Sequence, residues 1–324
     1  MISTQTSTSA TEATTNILGE LQETTFVGYT SHYKASIHTF NGAHHPALMR
    51  LVCRLRDEAF RNVGIRMSDS LRIEQADTDG TCHQLIVWDN TNHAILGGYR
   101  YAIGRSALPH RLPLSHYYAL SQHFIDDFLP HGIELSRTFI NIKYQQHNNP
   151  QSIYALDSLW EGLAHVINYH HARYLFGRVS FYPTLGDRAT NLLIGFMRHA
   201  FAPSDDLIVA HQPLDIGISG RSFNRIFKSS DPSSNYRTLL RLVHTMGQRI
   251  PPIITSYMRL SPSLHTYDAY LNNELGGITE AAILLDTADL YPSVEKRYNI
   301  HSTTRPTNII QQHNAPLACN TLTQ

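Results

Sequence analysis

Cysteine is scarce in this chain: three among 324 residues, Cys53, Cys82 and Cys319. Their wide spacing excludes a disulfide scaffold and a paired-cysteine zinc site, and a reducing cytosol is the expected compartment. Lysine is nearly as rare. Lys34, Lys143, Lys228 and Lys296 are the only four among 26 basic residues. The remainder is arginine, whose planar fork suits carboxylate or phosphate. The 26 acidic residues balance that total, which excludes nucleic-acid binding carried by bulk positive charge. No apolar run approaches the roughly 18 residues of a membrane span, so any membrane contact is expected to be peripheral. A basic start followed by an apolar run is also missing, and a secretory signal is not expected. Instead 11 of the first 25 residues are Ser or Thr, and residues 1–25 are expected to form a disordered tail.

What is present is a globular pattern, with 42% hydrophobic residues, 16% charged residues and a mean hydropathy of −0.26. Leu48, Leu51, Val52, Leu55, Ala59 and Phe60 recur at three- and four-residue steps, predicting a helix over Pro46–Arg61. Gln84–Asp89 and Ala94–Tyr101, joined through Asn90, Thr91 and Asn92, predict an antiparallel hairpin. A short helix is expected around Ala119–Phe128. Ile133–Ile142 reads as a strand, a helix follows Pro150, and Tyr174–Tyr182 reads as the next strand. Strand–helix–strand is a crossover, so those two strands should be parallel. A helix near Asn191–Arg198, a loop-rich stretch over 201–234, a helix over Tyr236–Met246 and a strand at Ala281–Leu285 complete the reading. The fold class is α/β (α+β): a mixed central sheet with helices on both faces. Residues 26–200 form the expected core, 201–300 an extension completing it, and 301–324 a flexible tail.

Several short motifs follow one another along this frame. They are Leu55-Arg56 with Phe60, Asp77 and Asp79 before the hairpin, Gly97-Gly98-Tyr99-Arg100, and Glu134-Leu135-Ser136-Arg137. Leu159–Leu163, Phe176-Gly177 with Ser180, Tyr257–Leu260 and Ile283–Asp286 continue the series. In this order they resemble the hemolysin-like N-acyltransferases of the GNAT superfamily, among them ornithine- and glycine-lipid synthases. More distantly they resemble the acyl-homoserine-lactone synthases with their E-x-x-R strand. The resemblance runs from about Leu48 to Asp286. It implies a cytoplasmic enzyme that moves a fatty acyl group from an acyl-thioester to the α-amine of an amino acid. The donor it implies is acyl carrier protein, less readily acyl-CoA, and it implies no permanently bound cofactor. Two alternatives are a synthase of a soluble acyl-amino-acid signal and a GNAT scaffold that binds a carrier protein without turnover.

The residue chemistry agrees with that expectation. A model α-amine has a pKa of roughly 7.7–8.0, so a modest base frees it near neutral pH. Glu134 is the expected base, directly or through a water, because burial in a strand raises a carboxyl pKa. Arg100 and Arg137 are expected to hold the acceptor's carboxylate, with Asp77, Asp79, Arg56 and Ser180 as further substrate-binding candidates. Gln146, Asn148 and Asn149, before the crossover helix, are expected to meet the donor phosphate on unpaired amides. That loop lacks the glycines of the R/Q-x-x-G-x-G/A pattern seen in CoA-using relatives, which favours a carrier-protein donor. Glu134 and Arg137 would face opposite sides of a regular strand, so a bulge near Ser136 is expected. The 20 histidines suggest no metal site, since His44-His45 and His170-His171 are adjacent pairs and no HExxH run occurs.

Overall fold

The computed structural model describes residues 14–32, 34–65, 73–145, 152–217 and 220–300. A helix over 14–23 (α1) leads into strands β1 (Thr25–Tyr29) and β2 (Ser36–Phe40). Helix α2 (Pro46–Asn62) and a one-turn helix α3 (Gln75–Thr78) precede β3 (His83–Asp89) and β4 (Ala94–Ile103). After β5 (Tyr118–Leu120) come β6 (Gly132–Ile140), α4 (Ser152–His170) and β7 (Tyr174–Phe181). Then follow α5 (Gly186–Ala200), β8 (Ile208–Ala210), α6 (Gly220–Ile226), α7 (Pro232–Thr245) and α8 (Pro252–Met258). Strands β9 (His265–Asn272) and β10 (Ile278–Asp286) and helix α9 (Pro292–Tyr298) close the described chain.

Eight strands form one sheet in the order β1-β2-β3-β4-β6-β7-β10-β9, and β5 pairs with β8 in a separate ribbon. The predicted hairpin β3–β4 is antiparallel and the predicted crossover pair β6–β7 is parallel. Alternation along the strands divides the core. Leu85, Val87, Leu96, Leu135, Leu175 and Val179 face α4, α5, α7 and α8. Ile86, Trp88, Ile95 and Phe139 point the other way, toward α1 and α2. Trp160 on α4 is a core residue, as its apolar stripe implies.

Three expectations need correction. The N-terminal Ser/Thr-rich segment is ordered from residue 14 onward as α1, because Leu21 is buried against the second-face core. Glu20 on that helix accepts hydrogen bonds from the amides of Ala47 and Leu48 at 2.9 and 2.8 Å. Helix α2 has no side-chain cap of its own and no acidic residue in its first turn, so α1 satisfies amides that would otherwise be orphaned. Tyr118–Leu120 is a strand rather than helix, because Ile208–Ala210 supplies a ribbon partner, and the helical part of the stretch starts only at residue 122, with one wide turn over Phe124–Phe128. The 201–234 stretch contains β8, α6 and the start of α7, whose inward residues Phe223 and Phe227 are too few to show a period.

Candidate active site

The parallel pair β6–β7 is in register only from Gly132↔Tyr174 to Leu135↔Gly177. Beyond that both strands continue with no pairing between them, β6 to Ile140 along β4 and β7 to Phe181 along β10. Two backbone features mark the parting. Gly98 and Arg100 of β4 oppose Phe139 and Ser136 of β6, so β6 carries one extra residue there. Arg137, inside that interval, adopts the left-handed region at φ 52°. The expected bulge is therefore real, and it places Ser136, Arg137 and Thr138 together on the cleft wall. On β7, Gly177 has φ +156°, and a Cβ there would lie 2.2 Å from the Leu135 carbonyl oxygen. Only glycine permits the strands to touch at that point before they part.

The resulting cleft is small and partly open, with a cavity volume of about 50 Å³. Ser136, Arg137 and Thr138 line one side and Arg178, Ser180 and Tyr182 the other, with Glu280, Leu275, Ile253 and Tyr257 closing it. A narrower apolar crevice adjoins it at Arg178 and Tyr257, walled by Leu135, Leu175, Ile283 and Leu285.

A buried ionic network supports the β6 side. Asp77 is its hub: its carboxylate pairs with Arg56 at 3.0 Å and Arg100 at 3.3 Å, and accepts from Gln84 at 3.0 Å. Glu74 bridges Arg100 and Arg137, both at 2.6 Å. Arg100 also donates from Nε to the Ser136 hydroxyl at 3.0 Å. Burial alone would raise both carboxyls. For Glu74 the guanidiniums of Arg100 and Arg137 outweigh it and hold the pKa at about 2, and Arg56 and Arg100 hold Asp77 lower still. The β7 side has its own network. Glu280 accepts from Arg178 at 3.0 Å, Ser180 at 2.8 Å, Asn272 at 2.7 Å and the Tyr270 hydroxyl. Burial raises the Glu280 carboxyl, but Arg178 and those hydrogen bonds bring it below its ordinary value, so it is ionised.

Glu134 lies where the two networks meet, yet it does not line the cleft. It sits opposite Phe176 and Ala102 and is 1% exposed. Neither carboxyl oxygen has a hydrogen bond of full geometry, and the Leu114 backbone only slightly favours the charged form. Burial pushes its pKa up to about 7, against the opposing pull of Arg178 and Arg100. Of the two routes expected for this base, direct contact with the acceptor is not available from this position. Glu134 lies at the apex, behind the point where the strands part.

The acetyltransferase (GNAT) domain family matches residues 55–155. A glycine N(alpha)-acyltransferase of Bacteroides thetaiotaomicron is 32% identical over 82% of this chain and 81% of its own length. The chain belongs to the GNAT N-acyltransferases. A second glycine N(alpha)-acyltransferase, from Phocaeicola vulgatus, is 28% identical over 86% of this chain and 88% of its own. The solved structure of an N-acyl amino acid synthase from uncultured soil microbes overlays with a TM-score of 0.39 at 9% identity, covering 81% of this chain and 94% of that one.

Within this acyltransferase the other predicted residues separate. Arg137 and Ser180 are brought to the cleft. Arg100 is 1% exposed and held by Glu74, Asp77 and Ser136, so it is a structural floor rather than an acceptor clamp. Arg56, expected among the substrate-binding residues, is buried against Asp77. Asp79 is outside the network, paired with the half-exposed Arg111 at 2.7 Å. Gln146, Asn148 and Asn149 lie outside the described residues. The sequence reading missed Glu74, Arg178 and Glu280. Arg178 and Glu280 each carry a usable signal, a charge inside an otherwise apolar strand run (YLFGRVSF, ITEAAILLD). Glu74 carries none, since it sits in a polar loop. Cys53 and Cys82 are buried, and burial pushes their thiols up to about 11 and about 12, the wrong direction for nucleophiles.

Proposed function

We propose that the chain transfers a fatty acyl group from a carrier-protein thioester to the α-amine of glycine, in the cleft between the parted strands. The observation that carries this reading is the juxtaposition of charges across that cleft. Arg137, a cation fixed by Glu74, faces a wall holding the Arg178–Glu280 ion pair, so a small zwitterion finds a guanidinium on one side and a carboxylate on the other. Glycine fits on two grounds: two relatives carry it in their names, and Tyr182, Tyr257 and Thr138 leave little room for a side chain.

The acyl chain takes the apolar crevice beside Tyr257, which places its thioester near Arg178 at the cleft. The backbone edges of β6 beyond Leu135 and β7 beyond Gly177, unpaired with one another, supply hydrogen bonds for the oxyanion of the tetrahedral intermediate. Glu280 receives the ammonium. Its proton passes through a water to Glu134, whose pKa of about 7 suits proton acceptance at neutral pH. The free amine attacks the thioester carbonyl, the carbon–sulfur bond breaks, and the thiol leaves with the amine's second proton.

The test is thiol release from an acyl-carrier thioester supplied with each amino acid in turn. Glycine should exceed the blank and every larger amino acid. Equal rates with leucine or ornithine would overturn the acceptor assignment.

A further inference from the structure

Between Ile216 and Leu264 the chain carries seven basic residues against one acidic residue, although the whole chain balances 26 against 26. The single carboxylate, Asp231, caps α7 by accepting from the amides of Ser233 and Ser234. The cations are exposed: Arg221 and Arg225 on α6, Lys228 after it, Arg237 and Arg241 on α7, and Arg249 beyond. Among the described residues only Arg237 in this set has an ion pair, a loose one to Asp231 at 3.5 Å.

The helices are oriented by their apolar residues. Tyr236, Leu239 and Val243 turn α7 inward, and Phe223 and Phe227 do so for α6. Arg237, Leu240, Arg241 and His244 therefore form the outward stripe of α7, at steps of three and four. Both helices pack against α5, so their basic faces belong to one side of the molecule. That side is joined to the cleft. The Arg259 guanidinium, at the end of α8, lies 5.5 Å over the Tyr236 ring of α7, and Ile253 and Tyr257 of α8 line the cleft.

We infer that the α6–α7 face docks the acidic carrier protein that delivers the acyl-thioester. This rests on the acyl-transfer reading and adds the surface through which it operates. Arginine forks match carboxylate rows on a partner helix, and opposite charge raises the encounter rate. The exposed apolar content of this face is two aliphatic residues, Ile226 at 42% and Leu240 at 39%, with no exposed large aromatic. That is enough for a small contact between two charged rows but too little for insertion into a bilayer. The thioester is carried on a flexible arm, so the dock has to lie beside the cleft, and α8 provides that adjacency.

The experiment compares the full-length protein with R237E/R241E and R237K/R241K. Thiol release is followed with acyl-carrier thioester and with acyl-pantetheine, glycine being the acceptor. Melting temperature serves as the folding control, and vesicles containing phosphatidylglycerol serve as the membrane probe. For the carrier donor, R237E/R241E should lower kcat/KM at least tenfold at low salt and flatten its salt dependence, while R237K/R241K stays within about threefold of the parent. The acyl-pantetheine rate should stay within twofold in both. Unchanged carrier-protein kinetics in R237E/R241E would overturn the dock, and if vesicle binding alone were lost, the face would be a membrane surface. Were the parent protein to release no thiol from any donor, the acyl-transfer reading itself would be at fault.

Discussion

At the residue scale, the ionic hub around Asp77 separates stability from catalysis. Its carboxylate serves Arg56 and Arg100, which are both buried, so Asp77→Asn removes a counter-charge from each guanidinium, Arg100 keeping only Glu74. The expected cost is about 3–5 kcal/mol, read from urea unfolding. A loss under 1 kcal/mol would mean the network is dispensable. Glu134 makes the opposite prediction. Its pKa is raised to about 7 from a reference of 4.5, so the folded state holds the proton more tightly than the unfolded chain. Its contribution to stability is present below pH 4.5 and is lost as pH rises through about 7. Glu134→Gln should therefore be more stable than the parent at pH 8, by an amount on the order of 3 kcal/mol, and similar to it at pH 4.5. Thermal unfolding at the two pH values decides this. Glu74 runs the other way. Held at about 2, it stabilises above pH 4.5 and ceases to do so as pH falls toward 2.

At the scale of elements, the parting of β6 and β7 depends on one close approach. Gly177→Ala places a methyl group 2.2 Å from a backbone oxygen, and backbone cannot swing away as a side chain can. The strands must separate earlier, which widens the apex over Glu134. The expected outcome is a loss of several degrees in Tm together with most of the activity; wild-type activity at wild-type Tm would show that the parting does not need glycine. Helix α2 offers a milder case. Glu20→Ala removes the acceptor for the Ala47 and Leu48 amides and should cost about 1 kcal/mol by chemical denaturation, as other cap deletions do. No change would indicate that water replaces the carboxylate there. Elements of this kind differ in legibility. The long periods of α2 and α4 and the apolar runs of β3, β4, β6 and β7 announce themselves. Strand β9, His-Thr-Tyr-Asp-Ala-Tyr-Leu-Asn, does not, because its inward side chains carry hydroxyl and amide groups that serve Glu280.

At the scale of the whole molecule, the sheet brings together residues far apart in the chain, and this is where reading by sequence stops. Glu74 and Arg137 are 63 positions apart, and Arg178 and Glu280 are 102. Motif order led to the family and to Arg137 and Ser180. It could not tell Arg100, locked into the floor, from Arg178, which lines the cleft, since both are arginines within strands. Nor could it separate Asp77 from Asp79, two residues apart, of which one is the buried hub and the other a surface partner of Arg111. Burial decides both cases, and burial is a property of the assembled sheet.

The central claim is that Glu134, although behind the cleft wall, takes the proton from the acceptor amine. It is tested most directly by the pH dependence of glycine-dependent thiol release in the parent protein and in Glu134→Gln. The parent should gain rate along an acid limb centred near pH 7. The variant should be slower by about a hundredfold or more and should lose that limb, with donor KM unchanged. A variant that keeps both the rate and the limb would contradict the account.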